Sequence, residues 1–190
     1  MPRFGDRSLI PAEAVRLAAL GELAQGNATL GALSVSVRGF VSRLMGPSLD
    51  VLGVSIEQLR YEGLIETVGR RAGPGQSLTA ESELTLTEKG REALRDLLRS
   101  PVRAPMTDLS KMVVALKLRF LDLLPAEERA AQLEQLVEMA ETDIARLKDL
   151  AARGADGLMG DWLAHDIGEA ERWRAWYAQK LVKVTGDGSN

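Results

Sequence analysis

The sequence predicts a mainly α-helical chain. An amino-terminal block of three helices, a two-stranded hairpin and a fourth helix precedes an all-helical region with long antiparallel helices. Three observations lead there. Apolar residues recur at helical spacing through most of the 190 residues. One stretch departs from that period: LIETV (64–68) and ELTL (83–86) read as short strands on either side of a Gly/Pro-rich loop. The carboxyl half then carries two apolar stripes long enough to pair as rods.

The elements follow in order. Pro11 stands where a helix begins, since its missing N–H is no loss in the first turn. AEAVRLAALGELAQG (12–26) places Val15, Ala18, Ala19 and Leu23 at helical spacing and closes at Gly26. A second helix runs from about Leu30 to Met45, with Leu33, Val37, Phe40, Val41 and Leu44 as its stripe. GPS (46–48) interrupts it; Gly46 closes the outgoing helix and Ser48 caps the next. The third helix, about 49–62, turns Leu49, Leu52, Ile56 and Leu59 inward. Gly63 ends it, because glycine enters the left-handed region without steric cost. After the hairpin, Thr87 caps a fourth helix, EKGREALRDLLRS (88–100), with Ala93, Leu94, Leu97 and Leu98 inward.

Pro101 and Pro105 break the pattern, and the predicted domain boundary lies there: residues 1–105 form one unit, 106–190 the other. Residues 108–124 present Met112, Val113, Leu116, Phe120, Leu123 and Leu124. Pro125 opens the longest helix, about 126–153, whose stripe at Leu133, Val137, Ala140, Ile144, Leu147 and Ala151 alternates steps of four and three. Gly154 and Gly157 break the chain. A last helix, about 160–184, carries Leu163, Ile167, Ala170, Trp173, Tyr177 and Leu181.

Composition narrows the function. The chain has no cysteine, which excludes disulfides, thiol catalysis and cysteine-based metal sites. A single histidine, His165, leaves little for a histidine-based triad or a transition metal. No Walker loop or dinucleotide-binding glycine pattern is present, and no nucleophile–base pair can be placed. A non-enzyme without cofactor or metal is expected. The amino end, MPRFGDRSLIPAEAV, has no long apolar run, and no stretch approaches the ~20 apolar residues that span a bilayer. A cytoplasmic protein with no membrane partner fits. Net charge is −3: residues 1–100 hold 12 basic and 12 acidic side chains, residues 101–190 hold 12 and 15. Contact with nucleic acid must therefore come from a local patch.

Three helices, a hairpin and a further helix in this order make a winged helix-turn-helix. There the third helix enters the major groove of double-stranded DNA and the hairpin follows the backbone. Arg70 and Arg71 sit at the hairpin tip, where charge-assisted contacts to phosphate give affinity without reading sequence. Arg38 and Arg43 on the second helix are candidate phosphate clamps. The outward face of helix 48–62, with Ser48, Asp50, Val51, Val54, Glu57 and Gln58, is the candidate base-reading surface. Glu57 suits a cytosine amino group, Gln58 adenine, and a valine a thymine methyl.

LRYEGLIE (59–66), LTEKGREALRDLL (86–98), LKLRFLDLLPAEERAAQLEQLVEMAETDIARLKDL (116–150) and HDIGEAERWRAWYAQKL (165–181) resemble the PadR family of transcriptional regulators. The resemblance covers most of residues 12–183 and is strongest from Gln58 to Leu98 and in the two long helices. Two positions depart from it: Gly31 is followed by Ala32 where the family commonly has Gly-Tyr, and Gly53 stands where it commonly has a tyrosine. The resemblance implies a homodimer held by the carboxyl-terminal helices, acting as a repressor on palindromic operators.

Dimerisation also has a physical motive. A helix of ~27 residues is about 40 Å long and, folded back on the last helix, leaves an apolar edge that a second copy covers. The seam residues are Leu133, Val137, Ala140, Ile144, Leu147, Ile167, Trp173 and Tyr177. A twofold pair sets two reading helices ideally ~34 Å apart. Trp162, Trp173 and Trp176 either pack at that interface or line a pocket for a small apolar effector. The competing reading is a winged-helix module that has lost DNA binding and serves a protein or effector. It rests on the acidic third helix, where Asp50, Glu57 and Glu62 face Arg60 alone.

Overall fold

In the computed structural model of the chain, residues 11–45, 53–68, 78–102, 108–154 and 156–187 are described. Their element order is α1 (Pro11–Gln25), β1 (Ala28–Thr29), α2 (Leu30–Met45), α3 (Gly53–Tyr61), β2 (Ile65–Thr67), β3 (Glu83–Leu86), α4 (Glu88–Arg99), α5 (Asp108–Phe120), a 3-10 turn (Leu121–Leu123), α6 (Ala126–Ala152) and α7 (Gly157–Asp187). The chain separates into two compact units. One holds Leu9–Ser100 with Met112–Phe120; the other includes Pro101–Lys111 and Leu121–Asn190. The division differs from the boundary at 105 read from the sequence, because most of α5 belongs with the amino-terminal unit.

That unit is built around α1. The sequence gives α1 one apolar stripe, yet Ala14, Val15, Leu17, Ala18, Ala19, Leu20 and Leu23 are all buried. A helix apolar on nearly its whole circumference belongs in the centre of a core, and α1 packs against α2, α3, α4 and β3. Leu33, Val37 and Val41 of α2, Ile56 and Leu59 of α3, and Leu94 and Leu98 of α4 complete that core. Gly21 of α1 is where α5 docks: a Cβ there would meet the Phe120 ring at 2.5 Å. Next to it the Arg119 guanidinium reaches Glu22 at 2.6 Å and lies 4.7 Å from the centre of the Phe40 ring. Lys117, 2% exposed, donates to the carbonyl of Ser100 at the end of α4. Burial pushes its ammonium pKa down to about 8.

Among the described residues the sheet has three strands, where the sequence predicts two. The order is β1-β3-β2 and both pairs are antiparallel. Ile65 lies opposite Leu86 and Thr67 opposite Leu84, so Ile65, Leu84 and Leu86 reach the core together. β1 is two residues long and carries no readable period. It forms by pairing with β3, Ala28 opposite Leu84 and Thr29 opposite Glu83, and Leu30 and Gly31 extend that contact by donating to the carbonyls of Ser82 and Ala80, both at 2.9 Å.

The second unit is a helical hairpin. Gly154 (φ 99°) and Gly157 (φ 60°) turn the chain between α6 and α7 in the left-handed region. Leu133, Leu136, Met139, Ala140, Ile144 and Leu147 of α6 are buried with Leu163 and Tyr177 of α7. Lys148–Glu171 at 2.8 Å and Arg174–Glu141 at 3.5 Å cross between the two helices.

Two residues expected inside are exposed, Leu44 and Leu123. Leu44 lies in the last turn of α2. Leu123 falls in the 3-10 turn, whose tighter three-residue period keeps Leu121 and Leu124 inward and leaves Leu123 out.

Candidate nucleic-acid interface

The corner between α3 and the hairpin is set by the backbone. Gly63 takes φ 72°, so the chain reverses, and Leu64 N donates to Leu59 O at 2.9 Å to close α3. The segment LTEKG (86–90) then clamps this corner. Thr87 Oγ1 accepts from Gly90 N at 3.0 Å as the cap of α4, and its own proton lies between the carbonyls of Gly63 (2.8 Å) and Leu64 (3.0 Å). Lys89 Nζ donates to Glu62 O at 2.8 Å. Gly90 has no side chain because a Cβ would fall inside the van der Waals shell of the Leu64 carbonyl oxygen and 2.7 Å from Leu86 Cδ1. Three residues of one motif thus hold the start of α4, the end of α3 and β2 as one rigid corner.

From that corner α3 presents an outward face. Ile56 and Leu59 are buried, while Glu57, Gln58 and Tyr61 are exposed, Tyr61 at 93%. The candidate base readers already have partners. Glu57 Oε1 accepts from Leu78 N at 3.3 Å, and its Oε2 lies 3.3 Å from Arg60. Gln58 Nε2 donates to Glu62 Oε1 at 3.0 Å, and the same oxygen takes Arg16 at 2.7 Å. Arg16 is 46 residues away in the chain, so sequence spacing gave no sign of this relay. Tyr61 was also missed, since a residue at a helix end with no periodic partner gives no signal.

Arg38 and Arg43 are both exposed on α2, and Arg43 Nη1 donates to Gly39 O at 3.3 Å. Val54 belongs to α3, but its side chain lies outside the described residues, as do Ser48, Asp50, Val51, Arg70 and Arg71. The described residues therefore include the α3–hairpin corner and the exposed Glu57–Gln58–Tyr61 face.

In the helical hairpin the expected seam separates into two sets. Leu133, Ala140, Ile144, Leu147 and Tyr177 are buried inside a single chain, where they join α6 to α7. Val137 and Ile167 are half-buried, and Trp173 is 45% exposed. Leu150, Leu158, Met159, Trp162, Trp176 and Val182 are exposed apolar residues that the seam reading left out or assigned elsewhere. Trp173 stacks on Tyr177 at 5.8 Å and meets Trp176 edge-on at 6.0 Å, while Lys180 lies 5.1 Å from the centre of the Trp176 ring. Burial pushes the Tyr177 hydroxyl up to about 12. Among the described residues no group of His, Cys, Asp or Glu is arranged to hold a metal ion, and no helix is long and apolar enough to cross a membrane.

A profile of the AphA-like transcriptional regulators, a PadR-like family, matches residues 4–181. No curated protein matches the chain. Among solved structures, PadR of Bacillus subtilis is similar at 16% identity and TM-score 0.40, over 94% of this chain and 98% of that one. The same protein in complex with p-coumaric acid gives 16%, 0.40, 94% and 99%. In complex with operator DNA it gives 16%, 0.34, 90% and 98%.

Proposed function

Since the chain belongs to the AphA-like family of transcriptional regulators, we propose that it is a cytoplasmic homodimeric repressor. Each amino-terminal unit, Leu9–Ser100 with Met112–Phe120, reads half of a palindromic site in double-stranded DNA; α6 and α7 hold the dimer. The observation that carries the reading is the outward face of α3. Glu57, Gln58 and Tyr61 stand clear of a core that takes Ile56 and Leu59, directly before a hairpin locked to the helix end by Thr87, Lys89 and Gly90. A helix exposed in this way, with a rigid wing beside it, suits major-groove entry. Arg70 and Arg71 grip phosphates at the wing tip, and Arg38 and Arg43 add phosphate contacts from α2. The exposed apolar residues of α6 and α7, three tryptophans among them, supply the aromatic surface that protein interfaces favour.

The test is fluorescence anisotropy with a duplex from the gene's own upstream region, repeated across a salt series. Affinity falls linearly in a log–log plot, and Arg70→Ala with Arg71→Ala flattens the slope by about 1.8 per chain bound. Absence of salt-dependent binding removes the proposal. One observation favours a second reading, a winged-helix module that no longer binds DNA: Glu57 and Gln58 are each held by intramolecular partners. A pulldown that recovers a protein partner, with no retention on DNA, selects it.

A further inference from the structure

Glu57 and Gln58 stand side by side on the exposed face of α3, but their hydrogen bonds leave them with different capacities. Both oxygens of Glu57 are committed within the chain: Oε1 accepts from Leu78 N at 3.3 Å, and Oε2 lies 3.3 Å from Arg60. Gln58 commits a single donor, from Nε2 to Glu62 Oε1 at 3.0 Å. A glutamine amide has two N–H donors and an acceptor oxygen. One N–H and Oε1 of Gln58 therefore remain, and among the described residues Oε1 meets no partner.

Glu62 also decides which way that amide faces. Its Oε1 takes the Arg16 guanidinium at 2.7 Å. A carboxylate so held accepts and does not donate. Turned over, the amide would set its own oxygen against Glu62 Oε1 with no proton between them. The nitrogen therefore faces Glu62, and the order of donor and acceptor is fixed. Arg16 is anchored in turn, because its neighbours Val15 and Leu17 on α1 are buried in the core.

In the major groove adenine presents an acceptor, N7, beside a donor, N6–H₂; guanine presents two acceptors, N7 and O6. One fixed donor with one fixed acceptor completes two bonds to adenine. On guanine it sets Oε1 against O6. An amide free to turn over meets a donor or an acceptor with equal ease at either point, so its discrimination is weaker. We propose that Gln58 reads adenine, and that Glu62 and Arg16 are positioning residues that hold its amide in the reading orientation. Glu57 instead ties α3 to the segment leading into β3. This rests on the DNA-reading proposal and deepens it.

The test starts from a randomised duplex library. Duplexes bound by the whole chain are sequenced, and the most enriched one is titrated by fluorescence anisotropy with each base pair replaced in turn. One position in each half of the site takes adenine, with a loss of at least about tenfold for other bases. Gln58→Ala and Glu62→Ala each cut that ratio to about threefold or less, at this position alone. Glu62→Gln keeps the ratio, because Arg16 donates and so holds the amide oxygen where the carboxylate oxygen was. Adding Arg16→Ala to Glu62→Gln loses it. A merely structural role for Glu62 weakens every position alike, and that result overturns the proposal. So does an adenine preference that survives Glu62→Ala, or the absence of an adenine position sensitive to Gln58→Ala. In those cases the parent still binds duplex with salt-dependent affinity, and the DNA-reading proposal stands. A parent chain that enriches no duplex and shows no salt-dependent binding removes both.

Discussion

Gly90→Ala puts one methyl group into the corner that holds the wing. Glycine to alanine in a helix ordinarily gains up to about 1 kcal/mol. At this position the new Cβ overlaps the carbonyl oxygen of Leu64, and Leu86 Cδ1 lies at 2.7 Å. The leucine methyl can rotate away. The carbonyl is fixed, because it accepts from Thr87 N at 3.1 Å and from Thr87 Oγ1 at 3.0 Å. Moving it strains both bonds, each worth about 1 kcal/mol, and overpacking adds about 1–3 kcal/mol. The net expectation is a loss of about 2–4 kcal/mol. Gly168→Ala is the matched control. It is the same substitution in α7, where the nearest atom to the new Cβ is Arg172 Nη1 at 3.6 Å, so it stabilises by up to about 1 kcal/mol. Urea titrations followed by circular dichroism read both. The variants should shift the midpoint in opposite directions, with Gly90→Ala acting on the transition of the amino-terminal unit. A Gly90→Ala protein as stable as the parent would show that LTEKG does not hold a rigid corner.

Further expectations follow from the same geometry. Thr87→Ala removes the cap of α4 and lowers stability by about 1 kcal/mol, whereas Thr87→Ser keeps most of it; thermal melts distinguish them. The folded pKa of Lys117 is about 8, against 10.5 for the exposed group. Between those values the unfolded chain holds the proton that the folded chain releases, so stability rises with pH across that window. The difference is worth about 3 kcal/mol in all. Lys117→Met removes this rise, so the wild-type-minus-variant stability difference climbs with pH between about 8 and 10.5, and a level difference contradicts the burial of the ammonium. Arg119→Ala loses the Glu22 ion pair and the face of Phe40. The expected cost is about 1–2 kcal/mol in a urea titration.

Much of the fold is legible in the sequence because local chemistry fixes it. The 3.6-residue period places every long helix, and Gly63 and Thr87 mark their ends through conformations that few other residues serve as well. What is not legible depends on partners distant in the chain. β1 exists only through its pairing with β3, which sets Ala28 opposite Leu84 and Thr29 opposite Glu83. α5 joins the amino-terminal unit because Gly21 leaves room for Phe120. The stripe of α6 reads equally as a seam to a second chain or to α7, and Leu133, Ala140 and Leu147 are buried by the latter within one chain. At the interface, residue types named Glu57 and Gln58 as readers, but the relay from Gln58 through Glu62 to Arg16 requires α1 beside α3.

In the proposed function two copies of this chain engage one duplex. Sedimentation velocity of the chain with a labelled duplex from its own upstream region, at low salt, measures that stoichiometry directly. The expected result is a single complex of two chains per duplex that dissociates as salt is raised. A complex containing one chain, or free duplex at protein concentrations far above those at which the chain self-associates, would contradict it.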